Sequence, residues 1–439
     1  MTRALAAALA LLVLPAALAA QARRCVLQVE QVGDSGVRAR GPEGEDYFAG
    51  GGVRLRCLDL GITIRSDSVA SYAGRVIHFV GRYRYRDSTL ALDADQATYY
   101  RLEERWEARG SVRAVNRRTG SVLTGPSLDY YRAVRGLRDS TETYATGRPR
   151  LDVQPRGRAE GDSAAPYVVR ADRLRIRGED VLYAGGTVEV DRSDFATRSD
   201  SLRLDADGAE EGTLVGQAVM RGTGRDSFEL TGARIDFTLR DRALERVLAT
   251  GGPVASRRDV RLTGDRIVFE LEDSVVARTF AWGDSTQGAA ASPDYDVKAD
   301  SLAIESPGGT LREIRGLGRG WLATARDSAT GHRDWMAGDT VVARFRPGEP
   351  ADSADAVLQE LEGRGASRAY YRGASKGGDA RPTLSYARAD RLLVRMQRRP
   401  GEQGVATVEL EGNVDGLQLQ PGGGDAAPRP APVPPGGGR

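Results

Sequence analysis

Residues 172–204 read DRLRIRGEDVLYAGGTVEVDRSDFATRSDSLRL, and their alternation decides the fold. Asp172 is followed at every second position by Leu174 and Ile176, Gly186 by Val188 and Val190, and Asp200 by Leu202 and Leu204. Arg, Ser, Thr and Glu fill the other parity. A period of two sends successive side chains to opposite faces of a strand, so one face is dry and the other wet. An Asp suits a turn, because its side chain bonds nearby backbone. A Gly suits a bend that needs positive φ. The stretch predicts bent strands, one led by Asp and the next by Gly.

The same reading extends outward. Asp265 precedes Ile267 and Phe269, Asp300 precedes Leu302 and Ile304, Asp339 precedes Val341 and Phe345, and Asp390 precedes Leu392 and Val394. Ala233 takes the Asp slot ahead of Ile235, Phe237 and Leu239, and weaker copies begin at Asp67 and Asp95. Gly81, Gly110, Gly252 and Gly412 open further Gly-led copies. The interval between Asp positions widens from roughly thirty to roughly fifty residues, as in a repeat whose turns vary in length. Polar insertions such as PGEPADSADA (347–356) do the stretching. One such unit cannot bury its apolar face, whereas stacked units share a core. The short connections leave no room for helical crossovers, so the pairing is antiparallel. The fold class expected is all-β: an elongated antiparallel β-jelly-roll or taco, a V-shaped folded sheet of repeated bent strands. Ala354–Leu361 (ADAVLQEL) is the best helical stretch and is short.

Residues 1–20, MTRALAAALALLVLPAALAA, read as a signal peptide cleaved after Ala20. The alternative is an uncleaved anchor, although the apolar run is shorter than the ~18–20 residues that span a bilayer. No later segment is apolar enough to span as a helix. In an oxidising compartment Cys25 and Cys57 are expected to form a disulfide; the alternative is two buried free thiols. With two Cys and two His at no ligand spacing, neither a metal nor a cofactor is expected. Lys plus Arg total 63 against 61 Asp plus Glu, which argues against a nucleic-acid partner. The stretch 156–166 (RGRAEGDSAAP) reads as a linker or a long loop. Residues 421–439, rich in Gly and Pro, read as a disordered tail.

Two stretches carry a family resemblance. Asp172-Arg-Leu174 followed by YAGGTVEVDRSDFATRSDSL (183–202), and Asp390-Arg-Leu392 followed by VATVELEGNVDGLQLQ (405–420), resemble the repeat of OstA/LptA-like lipopolysaccharide-transport proteins. The resemblance covers about residues 50–420 and is densest over 165–275. It implies an N-terminal β segment at 21–155 and a main repeat body at 165–420. It also implies a periplasmic or outer-membrane-associated protein whose trough holds the acyl chains of lipopolysaccharide or a related glycolipid and carries them toward the outer membrane. Such proteins stack on other transport proteins through edge strands. The chain departs from the family in being more than twice as long as a typical bridge subunit and in lacking a C-terminal membrane barrel.

The inward parity gives the candidate groove lining: Leu174, Ile176, Val188, Val190, Leu202, Leu204, Ile235, Phe237, Leu239, Ile267, Phe269, Leu302, Ile304, Leu392 and Val394. The same residues could equally form a closed core, and the function would then be that of a structural repeat scaffold in the envelope. The pairs Tyr99-Tyr100, Tyr130-Tyr131 and Tyr370-Tyr371 each place one ring in and one out. Arg82, Arg84, Arg86, Arg398 and Arg399 either meet lipid phosphates or form a solvated face. No catalytic residue is expected. The acids are spread evenly, and His78 and His332 sit in no recognisable constellation.

Overall fold

The computed structural model describes residues 25–34, 36–154, 167–205, 210–223, 227–240, 243–324, 332–348, 356–373, 383–399 and 402–419, the side chains of 397–404 excepted. The expected signal peptide, the 156–166 linker and the 421–439 tail lie outside these residues. The chain is all-β and its strands pair antiparallel, with two 3₁₀ turns at Leu58–Leu60 and Pro307–Gly309. The segment 354–361 is not helical: its described part begins the strand Ala356–Gly373. Eight residues are too few to hold a helix alone, whereas pairing with Trp335–Pro347, joined from Glu360 onward by Thr383–Arg399, satisfies this backbone as strand. The residues divide into two compact units, one ending at Thr146 and one beginning at Gly147.

One device builds both units. Asp and Gly do not lead strands from turns; they mark a corner where a strand bends. Asp95, Asp200, Asp339 and Asp390 stand in mid-strand. Asp67, Asp172, Asp265 and Asp300 fill the break between two short strands. At Asp172, for example, Tyr167–Arg170 pairs with one half of Val181–Asp191 and Arg173–Arg177 with the other. Between those halves lie Gly186 and Thr187, with φ of 74° and 43°. Two successive left-handed residues turn the strand and shift its register, here between Gly185 and Val188. The Asp172 N–H donates to the Gly186 carbonyl at 2.9 Å. A Cβ on Gly186 would lie 2.4 Å from Asp172 Oδ2, so only Gly fits. The same pairing recurs at Asp67 with Gly81, Asp95 with Gly110, Asp200 with Gly216, Asp300 with Gly318, Asp339 with Gly365 and Asp390 with Gly412.

In each unit the corners line up and divide the sheet into two half-sheets. One contains the segments that follow each Asp, the other those that follow each Gly. In the C-terminal unit the strands Val181–Asp191 through Phe228–Arg240, and Glu313–Thr324 through Thr383–Arg399, run through both halves. Between them the halves separate into short strands. Ala243–Thr250, Arg266–Glu272, Val275–Trp282 and Ser301–Glu305 form the Asp side. Val254–Arg257, Val260–Thr263, Gly288–Ala291 and Tyr295–Ala299 form the Gly side. Rings from opposite halves meet across the interior, Phe195 with Phe237 at 5.7 Å and Phe228 with Phe269 at 5.1 Å. In the N-terminal unit Tyr85 meets Trp106 at 5.1 Å in the same way. Gln28–Val32 and Gly36–Gly41 in the N-terminal unit, and Glu402–Glu411 and Asp415–Leu419 in the C-terminal unit, each pair on one side only among the described residues.

Candidate apolar-ligand clefts

Of the fifteen candidate lining residues, all but Ile176 and Ile304 are buried. All but Val188 and Val190 follow an Asp, or Ala233 in the same slot, and so belong to one half-sheet. The wall opposite contains Phe195, Met220, Phe228, Leu230, Leu262 and Met336, together with Ala255, Ala290, Ala369 and Ala387, all buried. The alternation did not single these out, because Ala on the inward parity gives little contrast with its neighbours. Along most of each unit the halves therefore pack directly on one another.

Each unit has a cleft where they part. In the C-terminal unit a cleft of about 440 Å³ opens on the side away from the corners, and its apolar lining includes Leu262, Phe269, Tyr295, Ile304, Leu311 and Ile314. Its rim carries Arg257, Arg258, Asp259 and Asp294. The turn after Val254–Arg257 and the turn at Ser292–Tyr295 supply the Gly-side rim, and the loop 305–312 supplies the Asp-side rim. The Arg257 guanidinium donates from Nη2 to the Gly309 carbonyl at 2.8 Å, one link across this mouth. A second link lies elsewhere along the open side, where the buried Tyr167 hydroxyl of the Gly side donates to Glu210 of the Asp side. Burial, then the Glu210 contact, holds the Tyr167 phenol above its ordinary range.

The N-terminal unit has a cleft of about 530 Å³ with Val26, Leu27, Val29, Leu55, Val69, Ile77 and Tyr99 among its lining and Arg38, Glu45, Asp46 and Arg101 at its rim. The segment Cys25–Val29 forms one wall. Its anchor is polar: the Cys25 N–H donates to Glu104 Oε1 at 3.0 Å. Glu104 is fully buried and paired with Arg132 at 3.0 Å. Cys25 and Cys57 are both buried free thiols that lie close to each other. Burial, then the Cys57 contact, pushes the Cys25 thiol up. Close by, the Tyr83 hydroxyl and the Trp106 indole N–H are buried with no hydrogen-bond partner among the described residues.

The remaining candidates distribute as follows. Tyr99 and Tyr130 point inward and are buried, while Tyr100 and Tyr131 lie on the outer face. Tyr371 packs on the core around Leu392 and Val394. Arg82 is ion-paired to Asp67 at 2.7 Å and Arg86 to Asp93 at 2.7 Å. Arg82 sits at a corner, on the far side of the fold from the mouth, so these arginines do not converge on one anion. Arg398 and Arg399 lie outside the described side chains. Among the described residues no three His, Cys, Asp or Glu side chains are grouped to hold a metal, and no helix is long and apolar enough to cross a membrane. Taken together, the two clefts offer an apolar floor with guanidinium and carboxylate groups both at the rim, an arrangement suited to an alkyl chain with a polar head. No protein-family model matches the chain, and comparison with curated proteins finds no match.

Proposed function

We propose that this protein is a non-enzymatic periplasmic carrier that holds acyl chains of lipopolysaccharide, or of a related glycolipid, in the clefts between its half-sheets and passes them toward the outer membrane. The observation that carries this reading is the C-terminal cleft, where the half-buried Ile304 and one side of the buried Phe269 line an open space beside Arg257 and Arg258. Its volume falls in the ~300–1,000 Å³ range of ligand sites. Burying ten methylenes contributes on the order of 8 kcal/mol, and association costs ~4–15 kcal/mol. One chain in one cleft is therefore held weakly, as a carrier requires. The singly paired edge strands fit a protein that adds neighbours by strand pairing.

Native mass spectrometry of the gently purified protein tests this, with added lipopolysaccharide as the probe. The expected result is a mass shift matching a lipid A-bearing glycolipid, with less lipid retained by Ile304→Asp, whose N-terminal cleft is unchanged. Ile304 is half-buried, so this variant is expected to fold, whereas Ile235→Asp would place an unpaired carboxylate in the core and unfold the unit. A wild-type protein that never takes up lipid, or a folded Ile304→Asp variant that retains as much lipid as wild type, would remove the proposal. The closed packing elsewhere supports a second reading, a structural scaffold of the envelope, and an empty protein would favour it.

A further inference from the structure

We infer that Cys25 and Cys57 are a redox pair, joined by a disulfide under oxidising conditions, and that this bond fixes the Cys25–Val29 strap as a wall of the N-terminal cleft. Three observations meet here. The two thiols are near neighbours although 32 positions apart, and neither is exposed. Cys57 ends the strand Val53–Cys57, to which the edge strand Gln28–Val32 pairs through Gln28 and Arg56, so Cys25 lies just beyond the paired register. The strap's other attachment is the bond from the Cys25 N–H to the buried Glu104 carboxylate, which belongs to the opposite half-sheet. A bond from Cys25 to Cys57 therefore holds the strap to one half-sheet while Glu104 holds it to the other.

The oxidant is a low-molecular-weight disulfide. One cysteine, as thiolate, attacks it and forms a mixed disulfide, releasing one thiol that carries away the proton the cysteine lost. The second cysteine then attacks the protein sulfur of the mixed disulfide and releases the second thiol. Two protein thiols are oxidised to one S–S bond, and the oxidant's S–S bond is reduced to two thiols. Burial disfavours the thiolate, so exchange runs through a form in which the strap is undocked. The role at the cleft rests on the glycolipid reading; the disulfide itself does not.

The reduced full-length chain is unfolded, refolded with oxidised and reduced glutathione, quenched with N-ethylmaleimide in denaturant and mapped by peptide mass. The expected result is that the Cys25 and Cys57 peptides are recovered joined and free of maleimide. Recovery of both as maleimide or glutathione adducts overturns the inference. The apolar fluorophore N-phenylnaphthylamine then reads the cleft. Its uptake by the reduced protein, and by a folded Cys25→Ser variant, is expected to be about tenfold faster than by the joined form, equivalent to ~1.4 kcal/mol of easier strap opening. Equal uptake by all forms overturns the gating while the disulfide stands. No uptake by any form overturns the cleft reading instead.

Discussion

At Gly186 the absence of one carbon sets the corner. An L-residue in the left-handed region costs roughly 1–2 kcal/mol, and a Cβ here would also lie 2.4 Å from Asp172 Oδ2. Gly186→Ala is expected to lower stability by about 2–4 kcal/mol in urea unfolding. Asp172 is different. Its side chain is half-exposed, and the chain carries Ala233 in the same slot against Gly251. Asp172→Ala is expected to cost less than about 1 kcal/mol. A cost equal to that of Gly186→Ala would mean that the carboxylate, not the backbone, holds the bend. Both residue types stood out in the sequence. Their meeting did not, because the Gly that touches each Asp lies on the next strand and nothing local marks the contact. For the same reason Gly216, Gly318 and Gly365 passed unnoticed as corners.

At the scale of the strand, the outer face of the Asp-side half-sheet is a ladder of Arg and Glu. Glu362, in Ala356–Gly373, lies almost wholly covered, with Arg364 at 2.8 Å, Arg391 at 2.7 Å and Arg344 at 3.2 Å. These hydrogen bonds, Arg364 first, bring its carboxyl down to about 2 against the opposing effect of burial. The folded value lies below the ordinary ~4.3 of an unfolded Glu. Its contribution is therefore present above about pH 4.5 and lost as pH falls toward 2. The guanidinium groups are partly in water, so the contribution is at most about 3 kcal/mol. Urea unfolding of wild type and Glu362→Gln at pH 7 and pH 3 checks this: the stability gap should narrow at the lower pH, and a gap that stays constant counts against it. The alternation revealed this wet face but not its pairings, which depend on register across five strands. It likewise hid the split into half-sheets, since a strand that bends keeps its period of two on both sides of the bend.

For the molecule as a whole, all-β architecture and repetition were legible from the first pattern, and the clefts were not. A cleft is a failure of two faces to meet, and a sequence lists faces without saying where they part. The division after Thr146 lies nine residues ahead of the end expected for the N-terminal segment at 155, and the corner device continues on both sides of it. If the Cys25–Cys57 bond forms, the loop it closes predicts about 3–4 kcal/mol of stability, mainly through the unfolded chain. Hydrogen exchange with and without reductant should register that loss in residues 25–146 and leave the C-terminal unit unchanged; a loss spread over both units would sink the prediction.

The line of corners also governs how such a chain can change length. The corner halves meet at fixed positions, so the extra residues of the long intervals fall between strand ends, as between Pro347 and Ala356 and between Gly373 and Thr383. Those ends all face the mouth. An insertion there raises one stretch of rim and leaves every other pairing in register, whereas an insertion beside an Asp–Gly contact would shift a whole half-strand to the wrong face. The corner side thus sets the register of the architecture, and the open side is where residues can be added without disturbing it.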